Sequence, residues 1–174
     1  MGKWGLAVVM CLFLAIPAGA KKGHKSRPPA PPPAPQAASY DASRDPAKDL
    51  KQAMAEATRT KKRILLEVGG DWCVYCHMMD ETFESHPQLQ KVRDTYYVTV
   101  RVNFSKENPN QEFLSHYPKI ADYPHFFVLD SQGALLHSQP THSFEHGKNY
   151  HAGRIEDFLR KWGQPPRHWL TRVS

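Results

Sequence analysis

Apolar residues recur along the chain with two different periods, and these periods predict a series of helices and strands. The pair Asp45-Pro46 opens a helix, because a capping carboxylate precedes proline and the apolar residues that follow keep helical spacing. Residues 64–68 are apolar on both faces, as in a buried parallel strand. Further along, the pattern predicts a helix at 73–84, a short turn at 88–92, strands at 96–104 and 125–129, a short helix at 108–116, a hairpin strand at 134–138 and a helix at 155–162.

The order of these elements determines the expected architecture. After the first helix the chain reads β-α-β-α-β-β-α, with one parallel crossover and a hairpin between the last two strands. This order predicts an α/β fold with a mixed sheet and helices on both faces. Residues 139–151 are mostly polar and are predicted to form a loop.

Composition divides the 174 residues into four segments. Residues 1–20 combine basic Lys3, an apolar run and an Ala-Gly-Ala ending, the pattern of a cleaved secretory signal peptide. The apolar run is too short for the alternative, a retained membrane anchor. Residues 21–44 are basic and then rich in proline, as in an extended linker. Residues 45–163 contain the predicted elements and form one domain, and residues 164–174 form a C-terminal tail.

The net charge of +6 is concentrated before the predicted domain. Five of the 23 basic residues, but none of the 17 acidic ones, precede residue 41, so the remainder of the chain is nearly neutral. A neutral domain gives no support to nucleic-acid binding, and we expect none. The basic leader could make weak contact with anionic lipid headgroups.

The candidate chemistry lies between the first strand and the second helix, where Gly69-Gly70 is followed by Cys73 and Cys76. Cysteines three apart at a helix start share one face, so their sulfurs can form a disulfide. Free backbone N–H groups and the helix dipole lower the pKa of a thiol at this point, which makes Cys73 the candidate nucleophile. Cys76, one turn further in, is the candidate resolving thiol. A purely structural disulfide is disfavoured, because this pair would close a trivial loop.

Two motifs give the chain a resemblance to the thioredoxin family. Residues 72–76 (WCVYC) resemble the family's W-C-x-x-C active site, and Tyr123-Pro124 before a strand resembles its cis-proline. The element order over residues 45–163 also matches. The residues around the cysteines are most similar to exported bacterial thioredoxin-like proteins and to the C-terminal domain of the transmembrane thiol reductase that carries electrons to the periplasm.

The resemblance implies a thioredoxin fold, with a mixed sheet of four strands or slightly more, and an active site that needs no organic cofactor. Cys73 would attack a substrate disulfide, or as a disulfide accept a substrate thiolate, and Cys76 would resolve the mixed disulfide. Pro124, in a cis peptide bond, would cover the cysteine pair, and the backbone of Tyr123 would pair with an extended substrate.

The same resemblance assigns three further residues. Trp72 and Tyr75 would belong to the surface on which protein partners dock. Glu67 stands six residues before Cys73, where thioredoxins carry a buried acid that assists proton transfer at the second cysteine. On a buried strand an acid is costly unless it is used or paired, so Glu67 is a candidate general base with a raised pKa. The alternative is a carboxylate at the edge of the sheet, paired with a base.

The implied partners are protein thiols or disulfides and a redox partner in the membrane. The protein is expected to be a monomer and to be located in the periplasm or outside the cell. The direction of electron flow stays open, because residues 74–75 (VY) replace the Gly-Pro of thioredoxin. Residues at these positions help to set a reduction potential that spans about −270 to −120 mV among related proteins. The sequence therefore predicts disulfide exchange without deciding between a reductase and an oxidase or isomerase.

Three alternatives fit parts of the sequence. Residues 73–77 (CVYCH) match a c-type haem attachment motif, in which both sulfurs become thioethers and His77 ligates iron. A metal ion could bind Cys73, Cys76 and His77, or the crowded histidines of residues 137–151, which are His137, His142, His146 and His151. A binding module that uses the fold only as a scaffold would not need two thiols. We therefore expect a redox-active cysteine pair, with neither haem nor metal.

Overall fold

The structure is a computed structural model of the chain, and it describes residues 40–163 together with Met1. The predicted signal peptide beyond Met1, the greater part of the predicted linker and the predicted tail at 164–174 lie outside the described residues. Within the described residues, none of the helices combines the length and the apolar character that crossing a bilayer requires.

The predicted helices and strands occur in the predicted order along the chain. The first helix begins behind Asp45, whose carboxylate accepts hydrogen bonds from the backbone N–H groups of Ala47 (3.0 Å) and Lys48 (3.2 Å). In chain order the elements are α1 (Pro46–Thr60), β1 (Arg63–Gly69), α2 (Val74–Ser85), α3 (Pro87–Tyr96), β2 (Tyr97–Asn103), α4 (Gln111–Leu114), β3 (His125–Leu129), β4 (Leu135–Pro140), a 3-10 helix (Thr141–Phe144), β5 (Glu145–His146), β6 (Asn149–Tyr150) and α5 (Ala152–Gly163).

The main sheet has four strands in the order β2-β1-β3-β4, so β1 is an interior strand. It pairs in parallel with β2 and antiparallel with β3, and β3 pairs antiparallel with β4. The prediction of a mixed four-stranded sheet is confirmed. Strands β5 and β6 form a separate two-stranded sheet.

Both faces of the main sheet are covered, which explains why β1 is apolar throughout. Ile64, Leu66 and Val68 pack in one cluster with α1, whereas Leu65 packs in another cluster with α2, α3 and α5. Because successive side chains of a strand point to opposite faces, this placement requires helices on both sides of the sheet. The same alternation puts Glu67 on the face that α2 covers.

Two predictions of local structure are wrong. Residues 88–92 are not a short turn but part of the ten-residue helix α3, because Leu89 and Val92 share a helix face and are buried in the core. Residues 139–151 are not a plain loop, since they contain the end of β4, the 3-10 helix and the β5–β6 pair. The aromatic side chains of Phe144 and Tyr150 are buried and anchor this polar segment to the core.

The last residues of the segment predicted as linker are in contact with the domain. Tyr40 is 4% exposed, and the carbonyl oxygen of Ala42 accepts a hydrogen bond from the Asn108 side chain (2.8 Å). The polypeptide therefore packs on the domain from residue 40 onward, before the predicted boundary at residue 45.

Candidate active site

The two cysteines lie at the turn between β1 and α2. Cys73 is the N-cap residue of α2, and its Sγ accepts a hydrogen bond from the backbone N–H of Cys76 (3.1 Å). The two sulfurs form a disulfide, with the Cα atoms 5.2 Å apart. The start of the helix thus presents a backbone N–H to the Cys73 sulfur, which favours negative charge on that sulfur once the bond is reduced.

Exposed apolar side chains surround the disulfide. Trp72, Val74 and Tyr75 are 56%, 67% and 46% exposed, and we call them the apolar rim. The cysteines beside them are buried: Cys73 keeps 4% of its surface and Cys76 keeps none. Of the two cysteines, only Cys73 therefore keeps any accessible surface. A group of exposed apolar side chains is typical of a surface that binds another protein.

The loop before β3 forms a second wall of the site. The peptide bond between Tyr123 and Pro124 is cis, as the resemblance implies. The Tyr123 ring packs against the cysteine pair and edge-on against Trp72, with centroids 5.6 Å apart. Phe104 joins them, because its ring stacks on Tyr123 (5.0 Å) and its carbonyl oxygen accepts a hydrogen bond from the Trp72 indole N–H (2.6 Å). The rings of Trp72, Phe104 and Tyr123 thus form one aromatic cluster beside the disulfide.

The 3-10 helix, which lies in the segment predicted as a loop, supports this wall. Thr141 is fully buried, and its hydroxyl donates a hydrogen bond to the carbonyl oxygen of Pro124 (2.5 Å). The ring of Tyr150, further along the same segment, packs edge-on to Tyr75 with centroids 6.5 Å apart. Residues 139–151 are therefore part of the site's framework, a role that the sequence analysis missed.

Glu67 lies on the interior strand β1 and is 1% exposed. The alternative of a carboxylate at the sheet edge is therefore wrong, although its pairing with a base is correct, since Oε2 lies 3.6 Å from Arg101 Nε. Burial raises the pKa of Glu67 above its ordinary value, and the Arg101 guanidinium opposes that rise. A carboxyl group with a raised pKa takes up a proton more readily than an ordinary glutamate, which suits it to a role in proton transfer.

Arg101 is a site residue that the sequence analysis missed. It lies on β2 directly beside Glu67 in the parallel register, and its terminal nitrogens pair with the Asp80 carboxylate of α2. The ion pairs connect the interior strand β1 and its neighbour β2 to the helix that carries Cys76. A cue exists in the sequence, because Arg101 is the one charged residue of the predicted strand at 96–104 and Glu67 is the one charged residue of the predicted strand at 64–68.

The histidines of residues 137–151 do not converge. His137 stacks on an indole ring of α5 (4.1 Å), His142 pairs with Asp122, and His146 lies edge-on to His151 (5.9 Å). Across the part of the chain that the structure describes, no three His, Cys, Asp or Glu side chains are grouped as metal ligands would be. The metal-binding alternative therefore finds no ligand set within residues 40–163.

His77, the candidate haem ligand, lies on the first turn of α2. Its Nε2 is hydrogen-bonded to the carbonyl oxygen of Asp71 (2.7 Å). The groups that haem attachment would use are thus engaged within the protein, the ring nitrogen with the active-site turn and the two sulfurs with each other.

We expect the loss of stability in acid to depend on His125, which follows the cis-proline and is buried. Burial lowers the pKa of His125, and Asp122, 3.7 Å from Nδ1, only partly opposes this. The folded protein therefore binds this proton less readily than the unfolded chain, so stability is lost as the pH falls below the ordinary histidine pKa of about 6.5. His125→Gln should reduce the loss of unfolding free energy between pH 7 and pH 5 by roughly 1 kcal/mol, measured by urea titration.

Glutamine is chosen because its amide can reach the Ser138 hydroxyl, which the His125 Nε2 contacts at 2.9 Å. The control is His116→Gln at an exposed position, which should leave the acid dependence unchanged. If His125→Gln and the parent lost the same free energy in acid, the assignment of this dependence to His125 would be wrong.

Comparison with known proteins identifies relatives of the described domain. A family model described as thioredoxin-like matches residues 45–131, which is half of the chain. Over 85 residues the chain is 33% identical to the thiol:disulfide interchange protein DsbD of Citrobacter koseri. That match covers 48% of this chain and 14% of the relative, so the chain spans a small part of the relative's length.

Two solved structures have the same fold. The disulphide isomerase from Xylella fastidiosa Temecula1 matches with a TM-score of 0.62 and 23% identity, over 70% of this chain and 94% of that one. The oxidised C-terminal domain of DsbD from Neisseria meningitidis matches with a TM-score of 0.51 and 20% identity, and the match covers 72% of this chain and 99% of that one. These likenesses confirm the predicted thioredoxin fold. Since the family model matches half of its length, the chain belongs to the thioredoxin-like family.

Proposed function

We propose that the chain is a thiol–disulfide oxidoreductase that exchanges its Cys73–Cys76 pair with protein substrates. The observation that carries the proposal is a disulfide at the start of α2, flanked by the apolar rim, in which Cys73 keeps 4% of its surface accessible and Cys76 keeps none. Membership of the thioredoxin-like family and similarity to a thiol:disulfide interchange protein support the same chemistry. The reaction needs no organic cofactor, because the cysteine pair itself holds the two electrons.

The proposed reaction has two exchange steps, written here in the reducing direction. The Cys73 thiolate attacks one sulfur of a substrate disulfide, and the other substrate sulfur leaves as a thiolate that takes up a proton. Cys76, as a thiolate, then attacks the Cys73 sulfur, so that the Cys73–Cys76 bond forms and the bond to the substrate breaks. The substrate gains two electrons and two protons, and the cysteine pair loses them. Oxidation of a substrate dithiol follows the same steps in reverse.

We assign the aromatic residues and the proline around the disulfide to substrate binding. The exposed rings of Trp72 and Tyr75 offer apolar contact area next to Cys73, which suits recognition of many different protein segments. The backbone of Tyr123 would pair with an extended substrate segment, as an added strand pairs with a sheet edge. Pro124 would cover the sulfurs beneath that segment.

Glu67 is proposed to accept the proton of Cys76 in the second step. It is buried on the same face of β1 as Gly69, where an added Cβ atom would lie 2.6 Å from the Cys76 sulfur. Its raised pKa supports this role, because a base whose pKa lies closer to the operating pH transfers protons more effectively. The proton returns when the cysteine pair is next reduced, so Glu67 is unchanged over a full cycle.

Localisation and partners belong to the same proposal. The sequence pattern of residues 1–20 supports export to the periplasm or beyond, and residues 21–44 support a spacer ahead of the domain. N-terminal sequencing of the mature protein should then begin at Lys21. If the protein is a reductase, it needs an electron donor in an oxidising compartment, and we propose that this donor is a membrane protein. We also propose that the protein acts as a monomer.

Cys76→Ser tests the proposal, because it keeps the attacking thiol and removes the resolving one. In cells quenched with acid, this variant should carry client proteins as covalent adducts that a reductant releases. The control is the double variant Cys73→Ser/Cys76→Ser, which should carry none. A folded Cys76→Ser protein without reductant-sensitive adducts would contradict exchange with protein substrates.

A further inference from the structure

We propose that the Tyr40 hydroxyl passes the proton from Cys76 to Glu67 in the resolving step. The inference rests on the proposed function, since without exchange at the cysteine pair there is no proton to move. Tyr40 precedes residues 45–131, the part of the chain that matches the family model.

The Tyr40 hydroxyl is hydrogen-bonded to the carboxyl group and packs on the same side of Gly69 as the Cys76 sulfur. It donates a hydrogen bond to Glu67 Oε1 (3.2 Å). A Cβ atom built on Gly69 would lie 2.6 Å from Cys76 Sγ and 2.8 Å from Tyr40 Oη. The two atoms thus pack directly against Gly69, in the position that the Cβ atom of a larger residue would take. Tyr40, Cys73 and Cys76 form one buried cluster.

Contacts on three sides hold Tyr40 in this position. Its backbone N–H donates a hydrogen bond to Asp71 Oδ1 (3.3 Å) in the active-site turn. The Arg101 guanidinium lies over the ring, 5.2 Å from the centroid. Two residues later, the carbonyl oxygen of Ala42 accepts a hydrogen bond from Asn108 (2.8 Å). Because the segment is attached to the turn, to β2 and to the loop beyond β2, the hydroxyl stays inside the site.

A buried phenol has the properties that a proton relay needs. Burial and the nearby Glu67 raise the pKa of Tyr40 well above its ordinary value, so the hydroxyl keeps its proton. In the resolving step, the Cys76 thiol proton moves to Tyr40 Oη while the phenol proton moves to the Glu67 carboxylate. The products are a Cys76 thiolate, a neutral phenol and a protonated carboxyl group, so atoms and charge balance without a charge on Tyr40.

Charged groups from several elements face this relay. They are Arg101 on β2, Asp80 on α2, Arg93 on α3 and Asp71 in the active-site turn. All of them remain in place when the Tyr40 hydroxyl alone is removed. A difference between the pH profiles of the parent and such a variant therefore reports on the hydroxyl.

Tyr40→Phe removes the hydroxyl and keeps the ring. The reduced protein is mixed with an equimolar aromatic disulfide whose released thiolate is coloured, so the first release reports attack by Cys73 and the second reports resolution by Cys76. We expect Tyr40→Phe to leave the first phase within about 2-fold of the parent and to slow the second by ~10-fold or more near neutral pH. The deficit should shrink as the pH rises, because hydroxide then removes the Cys76 proton.

A second variant tests whether the two residues act together. Glu67→Gln should also slow the second phase, and the double variant Tyr40→Phe/Glu67→Gln should be no slower than the slower single variant, because each substitution breaks the same relay. Additive losses in the double variant would contradict a shared path.

Tyr97→Phe is the matched control, because Tyr97 is another buried tyrosine and the substitution again removes only a hydroxyl. The Tyr97 hydroxyl donates a hydrogen bond to the carbonyl oxygen of Leu159 (2.9 Å), in a core cluster separate from that of Tyr40 and the cysteines. It should leave both phases unchanged. If the second phase of Tyr40→Phe matched the parent in rate and pH profile, the relay would be overturned. A parent protein that shows neither phase would overturn the proposed function instead.

Discussion

Replacing Cys73 by serine is expected to abolish disulfide exchange, with a fall of ~10³-fold or more in the rate of insulin reduction. A serine hydroxyl is not ionised near neutral pH and forms no mixed disulfide. Cys76 cannot take over the attack, because it is completely buried beneath the active-site turn. The measurement is the turbidity that develops as reduced insulin B chain precipitates in the presence of dithiothreitol.

Cys76→Ser is the matched control for the nucleophile, because it makes the same substitution at the other sulfur. With the coloured aromatic disulfide, Cys76→Ser should release one equivalent of thiolate and stop, whereas Cys73→Ser should release none at a comparable rate. If Cys73→Ser released one equivalent as fast as the parent, Cys73 would not be the attacking residue.

Gly69→Ala is expected to have the second large effect, a loss of about 2–3 kcal/mol in unfolding free energy. The new methyl group would overlap Cys76 Sγ at 2.6 Å and the Tyr40 side chain at 2.8 Å. Neither neighbour moves easily, because the sulfur is bonded to Cys73 and the tyrosine is hydrogen-bonded at both its backbone and its hydroxyl. Urea unfolding of the oxidised protein measures the loss.

Gly153→Ala in α5 is the control for this substitution. There a methyl group would meet only the exposed His151 ring (3.1 Å), so the change should be neutral or stabilising by up to about 1 kcal/mol. If Gly69→Ala were as stable as the parent, the space above Gly69 would not be filled as described, and the close approach of Tyr40 to Cys76 would be wrong.

The helices and strands that could be predicted from the sequence are those in which apolar residues follow a regular pattern along the whole element. β1 is apolar at nearly every position because both of its faces are covered, and α5 shows a clear apolar stripe because one face packs on the sheet. α3 was missed because only two of its residues, Leu89 and Val92, are buried, which is too few to show a helical period. Residues 139–151 were missed because two separated aromatic residues anchor an otherwise polar segment.

In the candidate site too, some residues could be predicted from the sequence and others could not. The motif at residues 72–76 and the Tyr123-Pro124 pair could be located because each is a recognisable local pattern, and the fold brings them into contact through the Trp72 and Tyr123 rings. Tyr40 and Thr141 carry no local pattern. Each reaches the site through tertiary contacts, from before α1 in one case and from beyond β4 in the other, so only the folded chain reveals them.

The reduction potential of the Cys73–Cys76 pair tests the proposed function most directly. The purified protein is equilibrated in glutathione buffers of defined potential, and free thiols are counted by alkylation and mass measurement. We expect one reversible transition of two thiols with a midpoint between about −270 and −120 mV. A midpoint near the low end would indicate a reductase, and one near the high end an oxidase or isomerase. A coloured protein in which neither cysteine can be alkylated in any buffer would contradict disulfide exchange and indicate covalent haem attachment.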